Sequence, residues 1–106
     1  MASGILGQSA PSGSSNTTVY TVPSSILSVV NVMCINRSAS NPVNVRIALS
    51  GSSSPSTTEW IEYDVTVPPK GVVERTGMAL QAGKRVVVYM STSDTSVTVT
   101  GLEQST

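Results

Sequence analysis

The chain predicts an all-β protein: a single antiparallel β-sandwich, jelly-roll or Ig-like, with an extended N-terminal arm. Three observations predict it. β-Branched runs of five to ten residues recur at the 8–12-residue spacing of a sandwich or barrel, with Gly, Pro, Ser and Asn clusters between them. No apolar stripe of helical period extends over ten residues. At 106 residues the chain suits one domain with one modest core, since a fold of this length buries only about 60–65% of its unfolded surface.

Taken in order, residues 1–16 are small and polar, broken by Pro11 and Gly13, with one bulky apolar pair, Ile5 and Leu6, between Gly4 and Gly7. Such a segment alone cannot bury enough apolar area to offset about 1–2 kcal/mol of ordering per residue, so it reads as a flexible arm ahead of a 17–106 sandwich domain. Ile5 and Leu6 are candidate anchors on a neighbouring subunit. Residues 18–22 form the first strand, closed by Pro23. Residues 26–35 are apolar at both parities, as in a central strand covered on both sides. Asn36 to Pro42 is turn chemistry, and residues 43–49 alternate in strict period two.

A Ser/Pro/Thr loop over 51–58 leads to residues 61–67, where Ile61, Tyr63, Val65 and Val67 are expected inward and Glu62, Asp64 and Thr66 outward with Trp60. Pro68, Pro69 and Gly71 end that strand. Residues 72–82 predict two short strands, or one extended stretch with a bulge at Gly77. Residues 85–90 form a strong strand, residues 97–100 the last one, and residues 103–106 a polar tail.

Composition narrows the function. Charged residues are 11% of the chain, against about 25% in an average domain, and the formal net charge is +0. Ser and Thr make up roughly three residues in ten, so the polar surface is hydroxylic. Without a basic field, neither nucleic acid nor an anionic membrane is an expected partner. No apolar run approaches the ~20 residues of a membrane-spanning helix. The first sixteen residues lack the basic and apolar regions of a signal peptide, which predicts synthesis in a cytoplasm. The lone cysteine, Cys34, lies in an apolar run and reads as a buried, inert thiol.

The chain contains no histidine, which removes the commonest general base and metal ligand and every Ser-His or Cys-His nucleophile. The densest acidic cluster, EWIEYD at 59–64, has neither an Asp-rich Gly loop for calcium nor a second catalytic group. No catalytic, metal or cofactor residues are assigned, and no enzyme is expected. Trp60, alternating onto the polar face, is the candidate contact anchor. The sequons at Asn16 and Asn36 carry little weight in so hydroxyl-rich a chain.

The segments GILGQSAP at 4–11, VYTVP at 19–23, NRS at 36–38, VRIAL at 45–49, IEYD at 61–64, ERTG at 74–77 and AGKRVVVY at 82–89 together resemble small virion structural proteins of tailed bacteriophages, especially phages of marine cyanobacteria. A Ser-rich 50–58 loop departs from an Ala/Gly-rich one. The resemblance implies a virion component made in a host bacterium's cytoplasm: a capsid decoration (cement) protein, or alternatively a tail, neck or fibre accessory. Its expected partners are other virion proteins, the major capsid protein or tail proteins, and further copies of itself in a homo-oligomer. A carbohydrate- or receptor-binding module, reading sugars through Trp60 and the hydroxyl-rich loops, is the alternative from another class, opposed by the scarcity of aromatic residues.

Overall fold

The computed structural model describes residues 2–106. Eight strands follow one another: β1 (Ser3–Ser9), β2 (Asn16–Thr21), β3 (Ile26–Asn36), β4 (Val43–Ser50), β5 (Trp60–Val67), β6 (Val72–Leu80), β7 (Arg85–Met90) and β8 (Thr95–Ser105). Apart from a single 3-10 turn at Thr57–Glu59, the described residues contain no helix.

The strands make two four-stranded antiparallel sheets, ordered β1-β8-β3-β6 and β2-β7-β4-β5. Every strand of the first half pairs with its mirror in the second half: β1 with β8, β2 with β7, β3 with β6 and β4 with β5. That is one long antiparallel ribbon rolled so that successive pairs fall in alternate sheets, the jelly-roll winding. Of the two windings that the sequence left open, the structure adopts this one.

The core is built from the inward parity of both sheets. Val30, Val32, Cys34, Val97 and Val99 face Val43, Val45, Ile47, Val86, Val88 and Met90, all essentially without solvent contact. β-Branched Val suits a pleated, closely packed face. Cys34 is one of these side chains, and burial pushes its thiol up to about 12, so it is a packing group and not a nucleophile.

Four expectations need correction. Residues 3–9 are not a free arm. They form edge strand β1, with Ser3 opposite Leu102 and Ser9 opposite Val97. A register shift between Ile5 and Gly7 turns Leu6 inward onto the core while Ile5 faces out, 62% exposed. The polar tail expected at 103–106 is likewise strand through Ser105: Glu103 accepts hydrogen bonds from the Ala2 amide at 2.9 Å and the Tyr20 hydroxyl at 2.6 Å, and Ser28 shares that hydroxyl at 2.7 Å. Neither contact leaves a periodic signal, because both depend on pairing between the two ends of the chain.

β3 is central, between β8 and β6, but only its inner face is covered. Its outer residues Leu27, Asn31, Met33 and Ile35 are half-buried, and Val29 is exposed. Tyr63, expected inward, is 57% exposed, for reasons given below. By contrast, the bulge expected at Gly77 is present: Gly77 has a φ of 70°, two residues stand opposite Asn31, and the Asn31 side-chain oxygen accepts the Gly77 amide at 2.9 Å.

Asn36 ties together the turns at one end. Its side-chain NH2 group donates to the carbonyls of Asn41, Val67 and Pro68, and its oxygen accepts the Ser38 amide. It is fully buried, so in the folded protein this sequon offers no accessible amide.

Candidate functional site

β5 runs along the edge of the β2-β7-β4-β5 sheet and fits β4 irregularly. Val45 lies opposite Val65, Ile47 opposite Glu62 and Ala48 opposite Trp60. Arg46 therefore faces two residues, Tyr63 and Asp64, and Ile61 is an extra residue in the next step. In the first of these bulges Asp64 adopts a φ of 54°, a left-handed conformation that Asp, like Asn, reaches more readily than most residues. The alternation of the strand is reset there, which is why Tyr63 leaves the core side.

The bulge gathers Tyr63 and Asp64 around Arg46 on the outer face. Arg46 makes a two-pronged contact with Asp64, Nε to Oδ1 at 2.7 Å and Nη2 to Oδ2 at 3.3 Å. Its guanidinium carbon lies 4.2 Å from the centre of the Tyr63 ring and 4.4 Å from that of Tyr89, the residue opposite it on β7. Hydrogen bonding to Asp64 raises the Arg46 pKa, so the guanidinium stays charged.

Trp60 packs edge-to-face on Tyr63, with centroids 5.5 Å apart and planes at 75°. The two rings and Thr57 line an open cleft of ≈ 360 Å³. The Ser-rich loop beside it is held by Glu59, whose Oε1 accepts the Ser56 amide and the Ser50 hydroxyl, each at 2.8 Å. Those bonds, the Ser56 amide first, lower the Glu59 pKa to about 2. Beneath, Ala48 and Val87 point to the same outer side as Trp60 yet have no solvent exposure, so this end of the sheet is roofed by side chains.

The same bulge turns Glu62 away from Asp64, towards the open side of the sandwich, where it pairs with Arg75 of β6 at 2.7 Å, and the second irregularity returns Trp60 to the outer face. The cluster EWIEYD thus divides its acids among three separate tasks. Among the described residues no three His, Cys, Asp or Glu side chains gather as a metal site.

The candidate anchors are not brought together. Trp60 lies on the β2-β7-β4-β5 sheet, Ile5 on the outer face of the opposite sheet, and Leu6 inside. Sequence reasoning missed Tyr63, Tyr89 and Arg46 as partners of Trp60. The available signal was the composition of EWIEYD, too polar for a strand with one fully buried parity.

No protein-family model, curated protein or solved structure matches the chain. What the fold and the site define is a jelly-roll module with an aliphatic outer face on one sheet and an aromatic-lined cleft on the other.

Proposed function

We propose that this chain is a structural component of a phage virion, most simply a capsid decoration (cement) subunit that docks on the major capsid protein and reinforces it. The observation that carries this reading is the outer face of the β1-β8-β3-β6 sheet. Ile5, Val29, Val72 and Leu102 are exposed there, and cross-strand pairing sets Leu102 beside Val29 and Val72 beside Ile35. A neighbouring protein that covered these side chains would gain about 25 cal/mol for each Å² of apolar surface removed from water.

Three further features support it. The jelly roll is an architecture used by viral coat proteins and by lectins. A chain of +0 net charge opposes close packing of copies only weakly, which favours a dimer or trimer on the particle. The carboxylates of Glu59, Glu62, Asp64 and Glu103 are engaged in internal contacts, in keeping with a non-enzymatic role.

Since residues 3–9 are a strand, attachment through a threaded arm is replaced by docking of a sheet face. Electron cryo-microscopy of purified particles tests the reading. Density for the sandwich on the capsid surface, with the β1-β8-β3-β6 sheet against it, is the expected result. Density at the tail, neck or fibres would reassign it to an accessory of those parts, and particles lacking the chain would refute the proposal.

A further inference from the structure

We propose that the cleft formed by Thr57, Trp60 and Tyr63 is a binding site for a neutral saccharide. The inference does not rest on the virion reading: it uses the opposite sheet and holds for any protein carrying this cleft.

A pyranose has an apolar face of C–H groups bordered by hydroxyls. A site for it needs a flat aromatic wall, a second surface at an angle to it, and hydroxyl or amide groups at the rim. Trp60 and Tyr63, at 75° and 5.5 Å, form such a corner, and two of the three lining residues, Tyr63 and Thr57, carry a hydroxyl. The cleft volume of ≈ 360 Å³ falls at the low end of small-ligand sites, which span about 300–1,000 Å³. No aliphatic side chain lines it, which distinguishes it from a socket for a Leu or Ile anchor.

The corner is held in shape before any ligand arrives. Arg46 stacks on Tyr63 at 4.2 Å and is itself locked by Asp64, while Glu59 fixes the loop carrying Thr57. The Asp64 conformation at φ 54° is a local cost retained at the residue that completes this arrangement. Such preorganisation lowers the ordering penalty of binding.

Electrostatics selects the ligand class. Arg46 and Asp64 cancel each other, the Glu59 carboxylate is occupied by Ser50 and Ser56, and the three lining residues are uncharged, so the lining itself holds no cation for a phosphate, sulfate or uronate. A neutral polyol leaves both arrangements intact.

Trp60 is the only tryptophan, so its emission reports on this cleft alone. The full chain is titrated with cello-, malto- and manno-hexaose and hexa-N-acetylchitohexaose as neutral probes, and with oligogalacturonate as an acidic one. At least one neutral probe should change the emission saturably, with half-saturation between about 10 µM and 1 mM. Tyr63→Ala should raise that concentration at least about tenfold, the loss expected for one aromatic contact. Thr57→Val should weaken binding too, and Ile5→Ser on the opposite sheet should leave it unchanged. Tyr63→Ala alters the starting emission, so affinity is read from half-saturation and repeated by calorimetry. No saturable response to any neutral probe, a response confined to oligogalacturonate, or unchanged affinity in Tyr63→Ala would each overturn the proposal.

Discussion

The two outer faces of the sandwich solve different problems with the same strand geometry. On the β1-β8-β3-β6 sheet the central pair β8 and β3 runs without a break, the shifts at Leu6 and Gly77 are confined to the edge strands, and what turns outward is aliphatic and polar: Ile5, Leu102, Val29 and Val72 among Thr98, Thr100 and Asn31. On the β2-β7-β4-β5 sheet two irregularities in β5 collect Trp60, Tyr63, Tyr89, Arg46 and Asp64 into one cluster. A regular face presents a broad area and suits a flat partner. A bulged edge aims a few side chains and suits a small one. Specificity in this molecule is therefore written in the departures from period two.

The largest effect should come from removing β1. Deletion of residues 2–12 strips Leu6 from the core, leaves β8 as a bare edge and removes the Ala2 contact of Glu103. We expect a loss of more than about 3 kcal/mol, a fall in Tm of about 15 °C or complete failure to fold, read by calorimetry. An unchanged Tm would mean that residues 3–9 are an appendage and that the aliphatic face lacks its first strand.

A pair of substitutions sharpens the contrast between the sheets. At Gly101 an added Cβ would press on the Val29 carbonyl oxygen, where β8 and β3 approach closely, and backbone cannot move aside cheaply. Gly101→Ala should destabilise by about 3 kcal/mol. Asp64→Gly removes the Arg46 pair but also relieves the left-handed conformation, so its net effect should stay within about 1 kcal/mol. Chemical denaturation of both variants checks this ordering. A larger loss at Asp64 would make the bulge a structural element of the sheet.

What the sequence disclosed follows the same division. Residues 43–49 and 85–90 were legible because one parity is buried throughout, as Val43, Val45 and Ile47 show. The bulge at Gly77 was legible as one of two readings, because glycines closely bracket a stretch too short to be a helix. The bulge at Tyr63 and Asp64 was not, since an Asp tolerates a left-handed turn but alternates just as well on an outer strand face, and its cause lies in pairing with Arg46 on another strand. β1 was hidden because its Gly and Ser residues supply backbone pairing and little apolar area. The second apolar parity of β3 was read as buried, whereas no other element of this chain covers it.

Titration separates the faces by a different route. Glu59 has a folded pKa near 2 against 4.5 for the free carboxyl, so its contribution is complete above pH 4.5 and is lost as pH falls from there towards 2. Glu103 behaves in the same direction, held low chiefly by the Tyr20 hydroxyl. Tyr20 is shifted up from 10.0, mainly by burial, so its contribution is present below pH 10 and is lost as pH rises through the folded value. Acid should therefore loosen the Trp60 loop and the β8 clamp together, while alkali should act on the clamp alone. Trp60 emission changing as pH falls from 4.5 towards 2, ahead of global unfolding, is the expected pattern. Emission unchanged down to pH 2 would show that Glu59 does not hold the Trp60 loop.

The smallest effect on folding, and the most telling for association, belongs to Ile5→Ser. Ile5 is 62% exposed on an edge strand, so replacing it forfeits little packing, and the fold should lose no more than about 0.5 kcal/mol. If a second copy or a capsid protein covers this face, the same change leaves a hydroxyl where an isobutyl-sized surface was desolvated, a difference of about 1–2 kcal/mol and thus roughly tenfold in affinity. Sedimentation equilibrium over a range of concentrations, beside Tm, measures both quantities on one sample. A shift towards monomer at constant Tm places the contact on the aliphatic face. Unaltered association in Ile5→Ser, together with weaker association in Tyr63→Ala, would transfer the protein contact to the aromatic cleft and remove the division of labour between the two sheets.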